Sequence, residues 1–141
     1  MAGVFFFGTF EHSIDERGRV AIPARYRSAF VDGGVLRPGP DGAVEMYSQE
    51  TFDEEVQRRL GSEDGNRSVT ARRIRRGFLS DAYAVELDKQ GRILIPPQVR
   101  AESGINGKVL IIGCGDYLEI WHPERWAGER EALEQSAEGD A

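Results

Sequence analysis

At 141 residues, with 40% hydrophobic and 30% charged residues, the chain suits one soluble globular domain or two small halves sharing a core. Its net charge of −6 argues against a general, all-over affinity for nucleic acid. The single Cys114 excludes an intrachain disulfide framework and a Cys-rich zinc ribbon, and fits a reducing cytosol.

In chain order, Val4-Phe5-Phe6-Phe7 is too short for a membrane span or a signal-peptide core, has no basic residue before it and is broken by Gly8; it predicts a buried strand. His12-Ser13-Ile14 leads into Asp15-Glu16-Arg17-Gly18, and Arg19-Val20-Ala21-Ile22 leads out, which predicts strand, tight turn, strand, with positive φ at Gly18. Alternation places Val20 and Ile22 on the buried face and throws Arg19 to the other side. Pro23 ends that strand and opens a short helix. Val35-Leu36 and Glu45-Met46-Tyr47 predict two further strands around a Pro/Gly/Asp turn, followed by a helix anchored by Phe52. Residues 53–76 predict a helical connector interrupted near Gly61 to Gly65. It carries Arg67, Arg72, Arg73, Arg75 and Arg76, with no acid among residues 65–80.

The second half repeats the order. Val85-Glu86-Leu87 leads into Asp88-Lys89-Gln90-Gly91, and Arg92-Ile93-Leu94-Ile95 leads out, with Ile93 and Ile95 facing inward. Pro96-Pro97 opens a helix that Gly104 is placed to close. Val109-Leu110, the turn Gly113-Cys114-Gly115-Asp116, Glu119-Ile120-Trp121 and a helix anchored by Trp126 match the first half with a one-residue slip. The tail, with Glu129, Glu131, Glu134, Glu138 and Asp140, predicts a frayed acidic helix. Charge divides accordingly: residues 1–80 carry twelve Lys/Arg against twelve Asp/Glu, and residues 81–141 carry six against twelve.

Six identities recur at a constant offset of 73: Asp15/Asp88, Gly18/Gly91, Arg19/Arg92, Ile22/Ile95, Pro23/Pro96 and Arg27/Arg100. A thirteen-residue pattern used twice implies one supersecondary unit used twice. A lone two-stranded hairpin is marginal in water. Two can bury Val20, Ile22, Ile93 and Ile95 against each other about a pseudo-twofold axis, which brings both Gly-Arg turns to one side. The expected division is a first half over 1–52, a connector over 53–80, a second half over 81–127 and an acidic tail over 128–141.

The pattern D-x-x-G-R-[VI]-x-I-P-x-x-x-R resembles the AbrB-type (SpoVT-AbrB) swapped-hairpin DNA-binding module. Two copies in one chain, separated by an arginine-bearing helical connector, resemble the MraZ family, over residues 5–127. The resemblance implies an α+β fold in which two pseudo-symmetric swapped-hairpin halves form one β-barrel-like core with flanking helices. Single AbrB-type modules, including many antitoxins, must dimerise to complete that fold. The family further implies a cytoplasmic, nucleoid-associated bacterial regulator of the cell-division and cell-wall gene cluster containing its own gene. Its partners would be double-stranded DNA, read as short G-rich direct repeats in its own promoter, and further copies of itself in a ring. The D-x-x-x-R element maps onto Asp15 with Arg19 and onto Asp88 with Arg92. The halves differ where Lys89 and Gln90 replace Glu16 and Arg17, and where Gln98 replaces Arg25.

Arg19 and Arg92 either pin their turns by pairing with Asp15 and Asp88, or reach guanine O6/N7 or phosphate, and the two are compatible. Asp15, Gly18, Asp88 and Gly91 shape and orient the loops. Arg17 and Lys89 are ordinary solubilising charges, or phosphate contacts that position without specifying. Arg27 and Arg100 either pair with an acid or contact DNA. Arg72, Arg73, Arg75 and Arg76 form a solvated face, a subunit interface meeting a neighbour's acidic half, or nonspecific phosphate contacts. An antitoxin-like or scaffold ring whose arginines serve protein contacts is the alternative to a DNA regulator. Cys114 has no base placed beside it in the sequence, His12 and His122 lack ligand spacing, and no Walker, G-x-G-x-x-G or G-x-S-x-G motif occurs. Neither a catalytic set, a metal, a cofactor nor a small-molecule substrate is therefore expected.

Overall fold

A computed structural model describes residues 4–61 and 68–140. The strands are β1 (Thr9–Ser13), β2 (Arg19–Ala21), β3 (Gly34–Pro38), β4 (Val44–Ser48), β5 (Tyr83–Val85), β6 (Arg92–Leu94), β7 (Lys108–Gly113) and β8 (Leu118–Trp121). The helices are a 3₁₀ helix over Ala24–Phe30, α1 (Gln49–Leu60), α2 (Val69–Ser80), α3 (Pro97–Ser103) and α4 (Pro123–Asp140). Among the described residues, β1-β7-β8-β4-β3-β5 form one antiparallel sheet, and β2 and β6 form a separate two-stranded ribbon. The fold is α+β.

The pairing is crossed between the halves. The expected tight turn after Ile14 forms, but its two arms share only the isolated bridge Ile14↔Val20. Instead, β1 pairs along its length with β7, β5 pairs with β3, and β2 pairs with β6. Exchanging equivalent strands of the halves (β1 with β5, β3 with β7, β4 with β8) reverses the sheet order and leaves it otherwise unchanged. The register locates the axis: Val20 faces its equivalent Ile93, and Glu45 faces its equivalent Glu119. A two-residue side-chain period explains the burial. Val20, Ile22, Ile93 and Ile95 are all 0% exposed, and they pack with Leu36, Met46, Ile111, Leu118 and Ile120. Burying each such side chain is worth about 1.5–3 kcal/mol.

Each return strand stops at proline as expected. Pro97 opens α3, which closes on Gly104 in the left-handed region at φ +70°. The equivalent segment after Pro23 tightens into 3₁₀ geometry and has no side-chain cap. The connector helix starts earlier than residue 53. Ser48 caps it, accepting from the Thr51 N–H at 3.1 Å while Thr51 Oγ1 accepts from the Ser48 N–H at 3.0 Å. Helix α1 stops at Leu60; Arg67 and the expected interruption beyond Gly61 lie outside the described residues. Phe52, Leu60 and Phe78 hold α1 and α2 against Val35 and Tyr47 of the sheet.

The expectation of a buried strand over Val4–Phe7 is corrected. Phe6 alone of the three phenylalanines is buried, bonded through both backbone groups to Gly115 at 2.8 Å, while Phe5 and Phe7 are 69% and 51% exposed. A single bridge leaves neighbouring side chains on the open face, where Phe7 meets Tyr26 and the Arg25 guanidinium.

Candidate nucleic-acid interface

The two repeated loops are built by the same bonds. Asp15 Oδ1 accepts from the N–H groups of Arg17 and Arg19 at 3.0 and 2.9 Å, and its Oδ2 accepts from Arg19 Nε at 2.8 Å. Asp88 Oδ1 accepts from the N–H groups of Gln90 and Arg92 at 2.9 and 3.0 Å, and its Oδ2 accepts from Arg92 Nε at 2.9 Å. Aspartate is suited to this because its short carboxylate can turn back on the chain two residues ahead while holding a guanidinium. Each turn closes with a glycine N–H donating to the aspartate carbonyl at 3.0 Å, with φ +85° at Gly18 and +76° at Gly91. Backbone N–H donation from Arg19 and from Arg92, ahead of the guanidinium charges, lowers the Asp15 and Asp88 carboxyls below their ordinary value. Both carboxylates keep 37% of their side-chain surface in contact with solvent, so these bonds serve orientation more than stability.

The loops meet. Arg92 Nη1 lies 3.8 Å from Asp15 Oδ2, so two arginines and two aspartates from opposite halves form one cluster, with side-chain exposures of 27–37%. Because Val20 and Ile93 point inward, the outer face of the β2–β6 ribbon carries Arg19, Ala21, Arg92 and Leu94. Arg17 and Lys89 are exposed beside it. Leu94, 54% exposed, was not singled out from the sequence. The alternation of Arg92-Ile93-Leu94-Ile95 already carries the signal, since Leu94 is in phase with Arg92.

Among the described residues, Arg27 and Arg100 make no ion pair with an acid; each is held by a backbone carbonyl. Arg27 Nε donates to Ile22 O at 2.8 Å, and Arg100 Nε donates to Ile95 O at 3.1 Å. Arg72, Arg73, Arg75 and Arg76 belong to a different element, α2, where Arg75 Nη2 donates to Leu60 O at 3.3 Å. Arg73 and Arg76 are exposed there, beside Val69 and Ile74 at 50% and 52% exposure. Burial, and then the neighbouring Glu119, push the Cys114 thiol up to about 12, so the reactive thiolate is suppressed. His12 titrates below its ordinary value, first through burial and then through Arg27. Among the described residues, no three His, Cys, Asp or Glu gather as a metal site, and no helix is long and apolar enough to cross a membrane.

Two equivalent α+β halves, cross-paired so that their Asp/Arg loops form one cluster, define a duplicated, pseudo-symmetric module. A family model described as "MraZ protein, putative antitoxin-like" matches the chain twice, over residues 5–77 and 78–140. A protein of Thermomicrobium roseum named transcriptional regulator MraZ is 41% identical over 137 residues, covering 95% of this chain and 92% of its own. Proteins of the same name from Herpetosiphon aurantiacus and Roseiflexus sp. (strain RS-1) are 37% and 36% identical, covering 86% and 94% of this chain and 83% and 91% of theirs. The chain belongs to the MraZ family.

Proposed function

We propose that the chain is a sequence-specific, DNA-binding transcriptional regulator that acts on direct repeats in the promoter of its own cell-division and cell-wall gene cluster. In this reading it is cytoplasmic and nucleoid-associated and works as a ring of identical subunits without a cofactor. The naming of its relatives supports regulation of transcription. The observation that carries DNA contact is the cluster of Asp15, Arg19, Asp88 and Arg92, with Arg92 Nη1 3.8 Å from Asp15 Oδ2. A two-stranded ribbon is of a size that the major groove, about 12 Å wide, admits. Arg19 and Arg92, oriented by carboxylates, supply forks suited to guanine O6/N7, and Arg17 and Lys89 supply phosphate contacts. A ring presenting this face repeatedly would gain about 10²–10⁴ in avidity on repeated sites, which offsets an acidic chain's weak single-site affinity.

The swapped-hairpin and barrel-like description belongs to the same proposal, as does the division at residues 52, 80 and 127; the crossed pairings of β1, β2 and β5 support the swap. The test is a gel-shift titration of the chain's own upstream DNA with Arg19→Ala and Arg92→Ala made singly. Each should cost about 1–3 kcal/mol and relax base preference; unchanged affinity and preference in both would sink the proposal.

An antitoxin-like or scaffold ring is the second reading, favoured by the exposed Val69 and Ile74 beside Arg73 and Arg76 on α2. Exposed apolar residues among arginines suit a protein interface. A scaffold would bind no DNA with the salt dependence of phosphate neutralisation, a slope of about −0.9 per phosphate.

A further inference from the structure

We propose that Arg27 and Arg100 are crossed positioning residues: Arg27, from the first half, sets the second DNA-facing loop, and Arg100, from the second half, sets the first. The inference rests on the DNA-binding reading and assigns the two loops' control to opposite halves of the chain.

The geometry is reciprocal. A Cβ placed on Gly18 would stand 2.8 Å from both Cζ and Nε of Arg100, closer than real Cβ contacts come. A Cβ on Gly91 would collide in the same way with Nε, Cδ and Cζ of Arg27. The Nε–Cζ end of each arginine therefore packs against the turn glycine of the other half, and this cover explains why both glycines are buried at the tip of otherwise exposed loops. Each arginine is itself held, by Nε donation to the carbonyl of the residue just after its own return strand, Ile22 at 2.8 Å and Ile95 at 3.1 Å. Those same residues grip the opposite turns through backbone bonds. The Ile22 N–H donates to Gly91 O at 2.9 Å, and the Ile95 N–H donates to Gly18 O at 2.8 Å.

Each loop is thus held on two sides by the other half: its glycine carbonyl by the isoleucine after a return strand, and its glycine Cα by an arginine. The planar, delocalised fork is what allows so close an approach, and a lysine ammonium on a flexible stem would not reproduce it. Two rigid supports on a turn of few residues leave the following side chain, Arg19 or Arg92, little freedom before it meets a base edge. Affinity gained by pre-organisation in this way is lost when the support is removed, even though the contacting arginine remains. The identical Arg27/Arg100 positions, the thirteenth and last of each motif counted from its aspartate, acquire a role that their own half of the sequence does not reveal.

The test is a pair of double-mutant cycles on binding to the upstream duplex. Arg27→Ala should weaken binding about tenfold in the parent background and in an Arg19→Ala background, and much less in an Arg92→Ala background. Arg100→Ala should show the mirror pattern, coupling more strongly to Arg19 than to Arg92, which touches the first loop only through Asp15 at 3.8 Å. Arg27→Lys and Arg100→Lys, which keep charge, should behave like the alanine variants. The amide resonances of Gly91 and Gly18, followed by NMR in each folded lysine variant, should move crosswise: Gly91 with Arg27→Lys, Gly18 with Arg100→Lys. Coupling within the same half as strong as that across halves, additivity in both backgrounds, or uncrossed amide shifts would overturn the inference. If Arg19→Ala and Arg92→Ala both bind normally, DNA binding through these loops is wrong, while crossed amide shifts would still establish the support itself and uncrossed ones would refute it.

Discussion

Glu45 and Glu119, equivalent positions of the two halves, sit directly opposite each other in the β4–β8 pair. Like charges facing across a sheet oppose each other. Burial, chiefly, and Glu119, as the smallest contributor, raise the Glu45 carboxyl above its ordinary value, with Arg37 working against them. Arg37 Nη1 donates to Glu45 Oε1 at 3.1 Å, and Trp121 Nε1 donates to Glu119 Oε1 at 3.0 Å, so the two acids are separately satisfied.

Arg37 is the residue on which this arrangement depends. It also donates to Phe78 O at 3.3 Å and its guanidinium lies 4.3 Å from the Phe78 ring, so it joins β3, β4 and α2. Arg37→Leu should lower unfolding free energy by about 3–5 kcal/mol in urea titrations, because it strands a buried carboxylate. Arg37→Leu with Glu45→Leu should recover much of that loss.

The pH dependence has two signs. The folded-state value of Glu45 is raised, so its ionisation is disfavoured in the fold and its share of stability falls as pH rises through the carboxylate range. The values of Asp15 and Asp88 are lowered, so their contribution is present above the unfolded value of 3.8 and is lost as pH falls through the folded value. Urea midpoints should show Glu45→Gln gaining on the parent between pH 4 and 7, about the carboxylate range. Asp15→Asn should lag the parent at neutral pH and converge with it in acid.

Gly18→Ala should cost more than the strain of positive φ, about 1–2 kcal/mol, because the new methyl also displaces Arg100. Gly107→Ala is the control: φ is +71° there too, but a Cβ would meet nothing within 4 Å. A melting experiment in which both variants lose equally would remove the claimed contact.

Phosphate and base contacts separate by salt. Arg17→Ala and Lys89→Ala should weaken DNA binding evenly across sequences and each reduce the salt slope by about 1, whereas Arg19→Ala should flatten base preference. Titrations at several salt concentrations on cognate and scrambled duplexes distinguish them.

Reversing charge at Arg73 and Arg76 tests the surface of α2. If it meets the acidic half of a neighbouring subunit, Arg73→Glu with Arg76→Glu should reduce assembly measured by light scattering. Unchanged mass with weakened DNA binding would assign these arginines to phosphate.

Much of the loop chemistry was legible in the residues themselves. Aspartate, glycine and arginine at fixed offsets specify a turn through bonds no longer than a few residues, and alternation alone tells Ile93 to face inward and Leu94 outward. Proline after each return strand likewise ends it for local steric reasons. Partners are another matter. A period of two assigns a face but names no neighbour, so the pairing of β1 with β7 rather than with β2 was decided in the tertiary structure, where β2 pairs with β6 and buries Val20, Ile22, Ile93 and Ile95 together. The same holds for Arg27 and Arg100. Their position after each proline is a local fact, but the glycine each covers lies in the other half, and only tertiary packing brings them into contact.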